Sequence, residues 1–261
     1  MKKRPLGQNF LIDEEAAEKI VEYAGISSED SVVEIGPGKG VLTQRLADRA
    51  GSFIAIEIDP KLYSLMEEEF VSRENVRIIL ADALKFDFGS LPQPFKVVSN
   101  LPYYAATHIL KRLIGYRHCI QDMTLMLQKE VVDRFSAEPS TKDYGSLTVF
   151  LQYYCDVVRT LEVGKSSFSP PPKVDSSVVK ITPLAKPRVQ TLDEKVFFKV
   201  VHAAFLHKRK MLKNNFKLWN RFFRKEKDRI FLADIDLARR GETLSIQEFA
   251  DLANFLSEAH E

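Results

Sequence analysis

Cysteine is nearly absent from this 261-residue chain, and its two copies, Cys119 and Cys155, match no metal or redox spacing. That excludes a disulfide scaffold and points to a reducing compartment, with both thiols as buried filler. No apolar run is long enough to span a membrane. The start, Met1-Lys2-Lys3-Arg4-Pro5, leads into polar residues rather than the apolar core of a secretory signal. A cytoplasmic protein with no membrane partner is the expectation. The five histidines show no ligand spacing, so no metal site is expected. Internal repeats and low-complexity segments are missing too. A dominant charge sign is also lacking, since the formal net charge is only +2. From Pro183 onward, however, 16 Lys and Arg face 11 Asp and Glu, which leaves the preceding part acidic. This asymmetry points to a polyanionic partner for the tail.

What is present is alternation. Short β-branched runs at Ser31 to Ile35, Phe53 to Glu57, Val76 to Leu80 and Phe95 to Ser99 read as strands. Leu42 to Ala47 and Leu62 to Phe70 have helical spacing between them. This is the βαβ pattern of a doubly wound, mostly parallel sheet. Further apolar runs at Met123 to Leu127, Val149 to Val157 and Ser177 to Ile181 complete an expected seven strands, the last two as an antiparallel pair. Pro183 to Pro187 reads as a linker. Beyond it Val196 to Phe205, Met211 to Phe223 and Ile246 to Leu256 are helical patterns with no strand. The expectation is an α/β domain over residues 1–183 and a small all-α domain over residues 188–261.

Three strand ends carry candidate ligand groups. Glu34-Ile35-Gly36-Pro37-Gly38-Lys39-Gly40 ends the first strand and opens a helix, where glycines allow a tight turn and close approach of a ligand. A lone glycine cluster also serves as a plain strand–helix turn. Glu57 ends the second strand, 21 residues beyond Gly36, where a carboxylate can accept hydrogen bonds from both ribose hydroxyls. Asp82 follows the third strand, placed to meet an adenine amine. Val41 stands where a dinucleotide fingerprint has its third glycine.

The fourth strand ends in Asn100-Leu101-Pro102-Tyr103. Proline cannot continue a ladder, so the chain turns out of the sheet and presents the Asn100 amide, nearby carbonyls and the Tyr103 ring. An exocyclic amine is a poor nucleophile because its lone pair is delocalised into the base. Two acceptors on its hydrogens and a ring stacked on the base would aim that lone pair at an electrophile. With the missing third glycine, this motif favours S-adenosyl-L-methionine over a nicotinamide.

Taken together, these features resemble the KsgA-type small-subunit (16S) rRNA adenine N6,N6-dimethyltransferases over nearly the whole chain. Gly7-Gln8-Asn9-Phe10-Leu11-Ile12-Asp13 resembles the family's N-terminal motif, and Phe168-Ser169-Pro170-Pro171-Pro172-Lys173-Val174 its late aromatic loop. His207 to Asn215 resembles its basic helix, and Arg240-Gly241-Glu242-Thr243-Leu244-Ser245 its C-terminal signature. The resemblance implies a Rossmann-like methyltransferase domain that dimethylates two adjacent adenines of a small-subunit rRNA hairpin during ribosome biogenesis. Its partner would be the pre-30S particle, and nothing in it requires more than a monomer. It implies that Gln8, Asn9, Leu11, Gly36, Gly38, Glu57, Asp82 and Asn100 line the cofactor site. Adenine N6 would be held by the Asn100 side chain and a carbonyl at Leu101 or Pro102, with Tyr103 and Phe168 stacked on the base.

In the tail, Lys208, Arg209, Lys210 and Lys213, with Lys217, Arg221, Arg224 and Lys225, are the candidate phosphate contacts. Lys2, Lys3 and Arg4 would add to that surface. Phe205, Leu212, Phe216, Trp219 and Phe222 interleave with them and read as core between helices. Two other readings are a large-subunit rRNA adenine methylase and a non-catalytic RNA-binding assembly factor. A nicotinamide oxidoreductase is a distant third.

Overall fold

A computed structural model describes residues 9–218 and 235–257. In chain order the elements are β1 (Phe10–Leu11), α1 (Glu14–Ala24), β2 (Ser31–Ile35), α2 (Val41–Arg49), β3 (Ser52–Glu57), α3 (Pro60–Phe70) and β4 (Val76–Leu80). Then come β5 (Phe95–Asn100), α4 (Ala106–Gly115), β6 (Ile120–Gln128), α5 (Lys129–Phe135), α6 (Ser146–Tyr154), β7 (Cys155–Val163) and β8 (Phe168–Ser169). The chain continues through β9 (Ser176–Pro183), α7 (Glu194–Ala204), α8 (Leu212–Leu218) and α9 (Ile246–Ser257).

Seven strands form one sheet in the order β4-β3-β2-β5-β6-β9-β7. The pairs from β4 to β6 are parallel, and β9 runs antiparallel to β6. The chain winds outward from β2 through β3 to β4, then returns to add β5 on the other side of β2. That reversal makes the β2/β5 boundary the switch point, where such sheets leave a crevice beyond the strands' carboxyl ends. The central strands are apolar on both faces because helices cover both: Val32, Val33, Phe53, Ala55, Val97 and Val98 are fully buried. Helix α1 starts on Asp13, whose side chain accepts the Ala16 N–H, and stops at Gly25 in the left-handed region.

The described residues fall into two compact units. The first comprises residues up to Val132 together with Asp156–Pro183, and the second Asp133–Cys155 together with residues from Leu184. The stretch 133–155 therefore leaves the α/β unit in which the sequence placed it. The expected strand from Val149 is also corrected, since Ser146–Tyr154 is helical and the strand begins at Cys155. The reason is burial on all sides. Phe150 and Tyr154, one turn apart, meet edge-on at 5.5 Å, and Tyr153 stacks on Phe197 of α7 at 4.7 Å. A short run of aromatics buried all round has no readable period. Cys119 and Cys155 are both buried. Among the described residues no His/Cys/Asp/Glu group could hold a metal, and no helix is long and apolar enough to cross a membrane.

Candidate active site

The switch point of the first unit carries one cleft of about 760 Å³, solvent at its mouth included. Asn9, Leu11, Gly36, Gly38, Glu57 and Asn100 to Tyr103 all line it. Residues far apart in sequence thus meet at one strand edge.

Gly36 and Gly38 sit at φ of 70° and 61°, where a side chain would be strained. A Cβ on Gly38 would also come within 3.0 Å of the Phe10 ring. Backbone conformation at both positions, and the Phe10 ring at Gly38, therefore favour glycine. Glu57 is 2% exposed, and its Oε1 accepts the N–H groups of Ile58 and Asp59 at 2.8 Å each. Burial pushes its pKa up; bonds from the Asp59, Ile58 and Gly38 amides oppose this, and the Asp59 charge adds to it. Glu34, also in the wall, is 1% exposed and accepts the Thr43 hydroxyl at 2.7 Å. Burial pushes its pKa up to about 8, the Thr43 bond opposing and the Glu57 charge adding. Sequence reasoning quoted Glu34 only as the start of the glycine turn; its sole signal was an acid inside an apolar strand.

At the other end of the cleft, β5 finishes at Asn100 and the Leu101 N–H donates to the Met126 carbonyl at 3.2 Å, so Leu101 is fixed and buried. The Pro102 carbonyl accepts the Ala105 N–H at 3.0 Å. Among the described residues nothing donates to the Leu101 carbonyl, and the Asn100 amide makes no hydrogen bond. Pro102 lies against the glycine turn, its Cδ 3.9 Å from where a Gly36 Cβ would be. The Tyr103 hydroxyl is 2.6 Å from Ser176 Oγ, which fixes the ring at the mouth of the site.

Three expectations stand differently. Gln8 lies outside the described residues. Asp82 reaches the same sheet edge, but its Oδ1 caps the Leu84 N–H at 2.9 Å and it is not part of the cleft wall. Phe168 is corrected: its ring is 2% exposed and does not line the cleft. The cause is β1–β8 pairing. Leu11 sits opposite Phe168 and Phe10 opposite Ser169, so Phe168 turns into the same buried cluster as Leu11 while Ser169 faces out. The N-terminal motif and the aromatic loop are two strands of one small sheet.

In the second unit, Lys208 Nζ donates to the Lys142 carbonyl and lies 3.9 Å from Glu242, whereas Arg209 and Lys210 are exposed. Lys213 is half-buried. Leu212 and Phe216 are core, as their spacing suggests. Asn215 is fully buried, donating to the Ala204 and His207 carbonyls at 2.7 and 3.2 Å. Trp219, Arg221, Phe222, Arg224, Lys225, Lys2, Lys3 and Arg4 lie outside the described residues.

This arrangement has relatives. The sequence profile of the ribosomal RNA adenine dimethylases matches residues 1–258. A Clostridium botulinum protein named ribosomal RNA small subunit methyltransferase A is 46% identical over 252 residues, 95% of this chain and 92% of the relative. Among solved structures, a dimethyladenosine transferase from Plasmodium falciparum superimposes with a TM-score of 0.80 at 28% identity, covering 93% of this chain and 95% of that one. The 23S rRNA methyltransferase ErmE gives 0.71 at 26% identity, covering 95% of this chain and 100% of that one. A match along essentially the full length, on a cleft with an acidic strand end facing an Asn-Leu-Pro-Tyr turn, decides the assignment: the chain belongs to the S-adenosylmethionine-dependent ribosomal RNA adenine dimethylase family.

Proposed function

We propose that this chain methylates N6 of two adjacent adenines in a small-subunit rRNA hairpin, acting as a monomer on a pre-30S particle in the cytoplasm. The observation that carries the reading is the pair of uncommitted acceptors, the Asn100 side-chain oxygen and the Leu101 carbonyl, beside the glycine turn. Pro102 is the weaker choice of carbonyl because Ala105 already occupies it.

S-adenosylmethionine supplies an activated methyl on a sulfonium. The cleft fits it, with a carboxylate at Glu57 for ribose hydroxyls and bare backbone at Gly36 and Gly38. The chain's own task is alignment, which can supply about 7–11 kcal/mol of a barrier. Asn100 and Leu101 accept the two N6 hydrogens and turn the lone pair toward the methyl. Accepting the methyl would leave N6 cationic, and its acidified proton would pass to water. No strong base is needed, and a neutral amide suffices. Tyr103 stacks on the extruded base, recovering about 1–3 kcal/mol of the unstacking cost. For the second methyl, the single remaining N–H keeps one of the two acceptors. Arg209, Lys210 and Lys213 contribute salt-dependent phosphate contacts, and Lys208 braces their turn.

The relatives' name favours the small subunit, while the likeness to ErmE keeps a large-subunit target as the runner-up. The test is transfer of label from S-adenosylmethionine to unmodified small and large subunits, followed by mass mapping. The expected result is N6,N6-dimethyladenosine at adjacent positions of the small-subunit RNA. Label confined to the large subunit would support the runner-up, and binding without transfer would support a non-catalytic assembly factor.

A further inference from the structure

A second tyrosine follows the Asn-Leu-Pro-Tyr turn, and the two rings part company. Tyr103 is tied to Ser176 at the start of β9, on the β6/β9 side of the switch point. Tyr104 lines the cleft with Glu57, the last residue of β3, and Ile58 just after it, on the opposite side of β2 from β5. Burial first, then the Glu57 and Asp82 carboxylates, raise the pKa of its hydroxyl. The ring is nevertheless 56% exposed, and its hydroxyl makes no hydrogen bond among the described residues.

The glycine turn and Glu57 define where a ribose would sit, and Asp82 marks the strand beyond it. A ring that lines the cleft with Glu57 is placed for the nucleoside half of a ligand, not for the base presented at Asn100. We infer that Tyr104 is a cofactor-binding residue that closes over the adenosine half of S-adenosylmethionine. This rests on the proposed function. It divides the adjacent tyrosines between the two substrates: Tyr103 meets the acceptor base and Tyr104 the methyl donor.

The test is calorimetric titration of wild type, Tyr104→Ala and Tyr104→Phe with two probes. S-adenosylhomocysteine carries both halves of the cofactor, and 5′-methylthioadenosine lacks the amino-acid half. Small-subunit RNA binding is measured in parallel. Tyr104→Ala is expected to weaken both probes by about five- to tenfold, the lower end of aromatic–base stacking. Tyr104→Phe keeps the ring and should stay within about twofold of wild type, and RNA affinity should not change in either variant. Unchanged probe affinity in Tyr104→Ala overturns the inference. So does a loss confined to S-adenosylhomocysteine, which would put the ring on the methionine half, or a loss of RNA affinity alone. A wild-type chain that binds neither probe would instead refute the proposed function itself. Thermal unfolding of Tyr104→Ala controls for folding and should match wild type, because the ring is half exposed.

Discussion

The two ends of the cleft are built on opposite plans. At the Glu57 end both buried carboxylates are engaged: Glu57 accepts two backbone N–H groups through Oε1, and Glu34 accepts the Thr43 hydroxyl. At the Asn100 end the backbone is fixed, through Leu101 to Met126 and Pro102 to Ala105, yet the side-chain amide and the Leu101 carbonyl are left open. A donor that must bind in one pose repeatedly is served by preorganised, rigid dipoles. An acceptor amine whose hydrogens are lost one by one is served by acceptors with no other partner. On the proposed function, the difference puts binding and chemistry on the two strands that flank β2, where mutation can separate them.

The largest expected effect breaks the chemical end alone. Asn100→Ala should lower the single-turnover rate by about 10²–10³-fold, the typical loss of a preorganised polar group. Cofactor affinity should change by no more than about threefold in the same variant. Next comes the acidity of the binding end. Glu34 holds its proton in the folded chain up to about pH 8, far above an unfolded glutamate. The folded state therefore binds more protons across that window, and its stability falls as pH rises from the unfolded value toward 8, levelling off beyond. The fall amounts to about 1.4 kcal/mol for each pH unit crossed inside the window, so chemical denaturation of the ligand-free protein in acidic and in mildly alkaline buffer should resolve it. Glu34→Gln should flatten it.

A smaller effect sharpens the place of Phe168. Phe168→Leu keeps an apolar filler in the buried cluster and should cost no more than about 1.5 kcal/mol in denaturant unfolding. Its transfer rate should stay within about threefold of wild type. A rate loss matching that of Tyr103→Ala would mean that the ring leaves its pocket to stack on the base. The smallest effect concerns the tail. Removing Arg209 or Lys210 should reduce the salt slope of RNA binding by about one each. Lys208→Ala should leave the slope nearly unchanged, because that cation is tied to Lys142 and Glu242.

Where part of the candidate site is one contiguous stretch, its place in the fold is legible in the sequence. The glycine turn, Glu57 and Asn100 to Tyr103 are each a strand end read off the hydrophobic pattern, and a parallel sheet gathers its strand ends by construction. Less legible was whatever depends on pairing across the chain. The burial of Phe168 follows from its register with Leu11, and local spacing says nothing of that register. The bracing of Lys208 follows from its approach to Glu242, and the helix at Ser146–Tyr154 from aromatic packing on α7. Glu34 was hidden for another reason: its strand is apolar on both faces, so an acid there reads as an irregularity rather than as part of a wall.

The most direct test of the two-ended cleft is a crossed measurement on Glu57→Ala and Asn100→Ala, taking S-adenosylhomocysteine affinity and the single-turnover methylation rate at saturating cofactor. Glu57→Ala is predicted to lose affinity by roughly tenfold or more, as charged hydrogen bonds are worth, while largely keeping its saturated rate. Asn100→Ala is predicted to do the reverse. Parallel loss of both quantities in both variants would contradict the division of labour between the two strand ends.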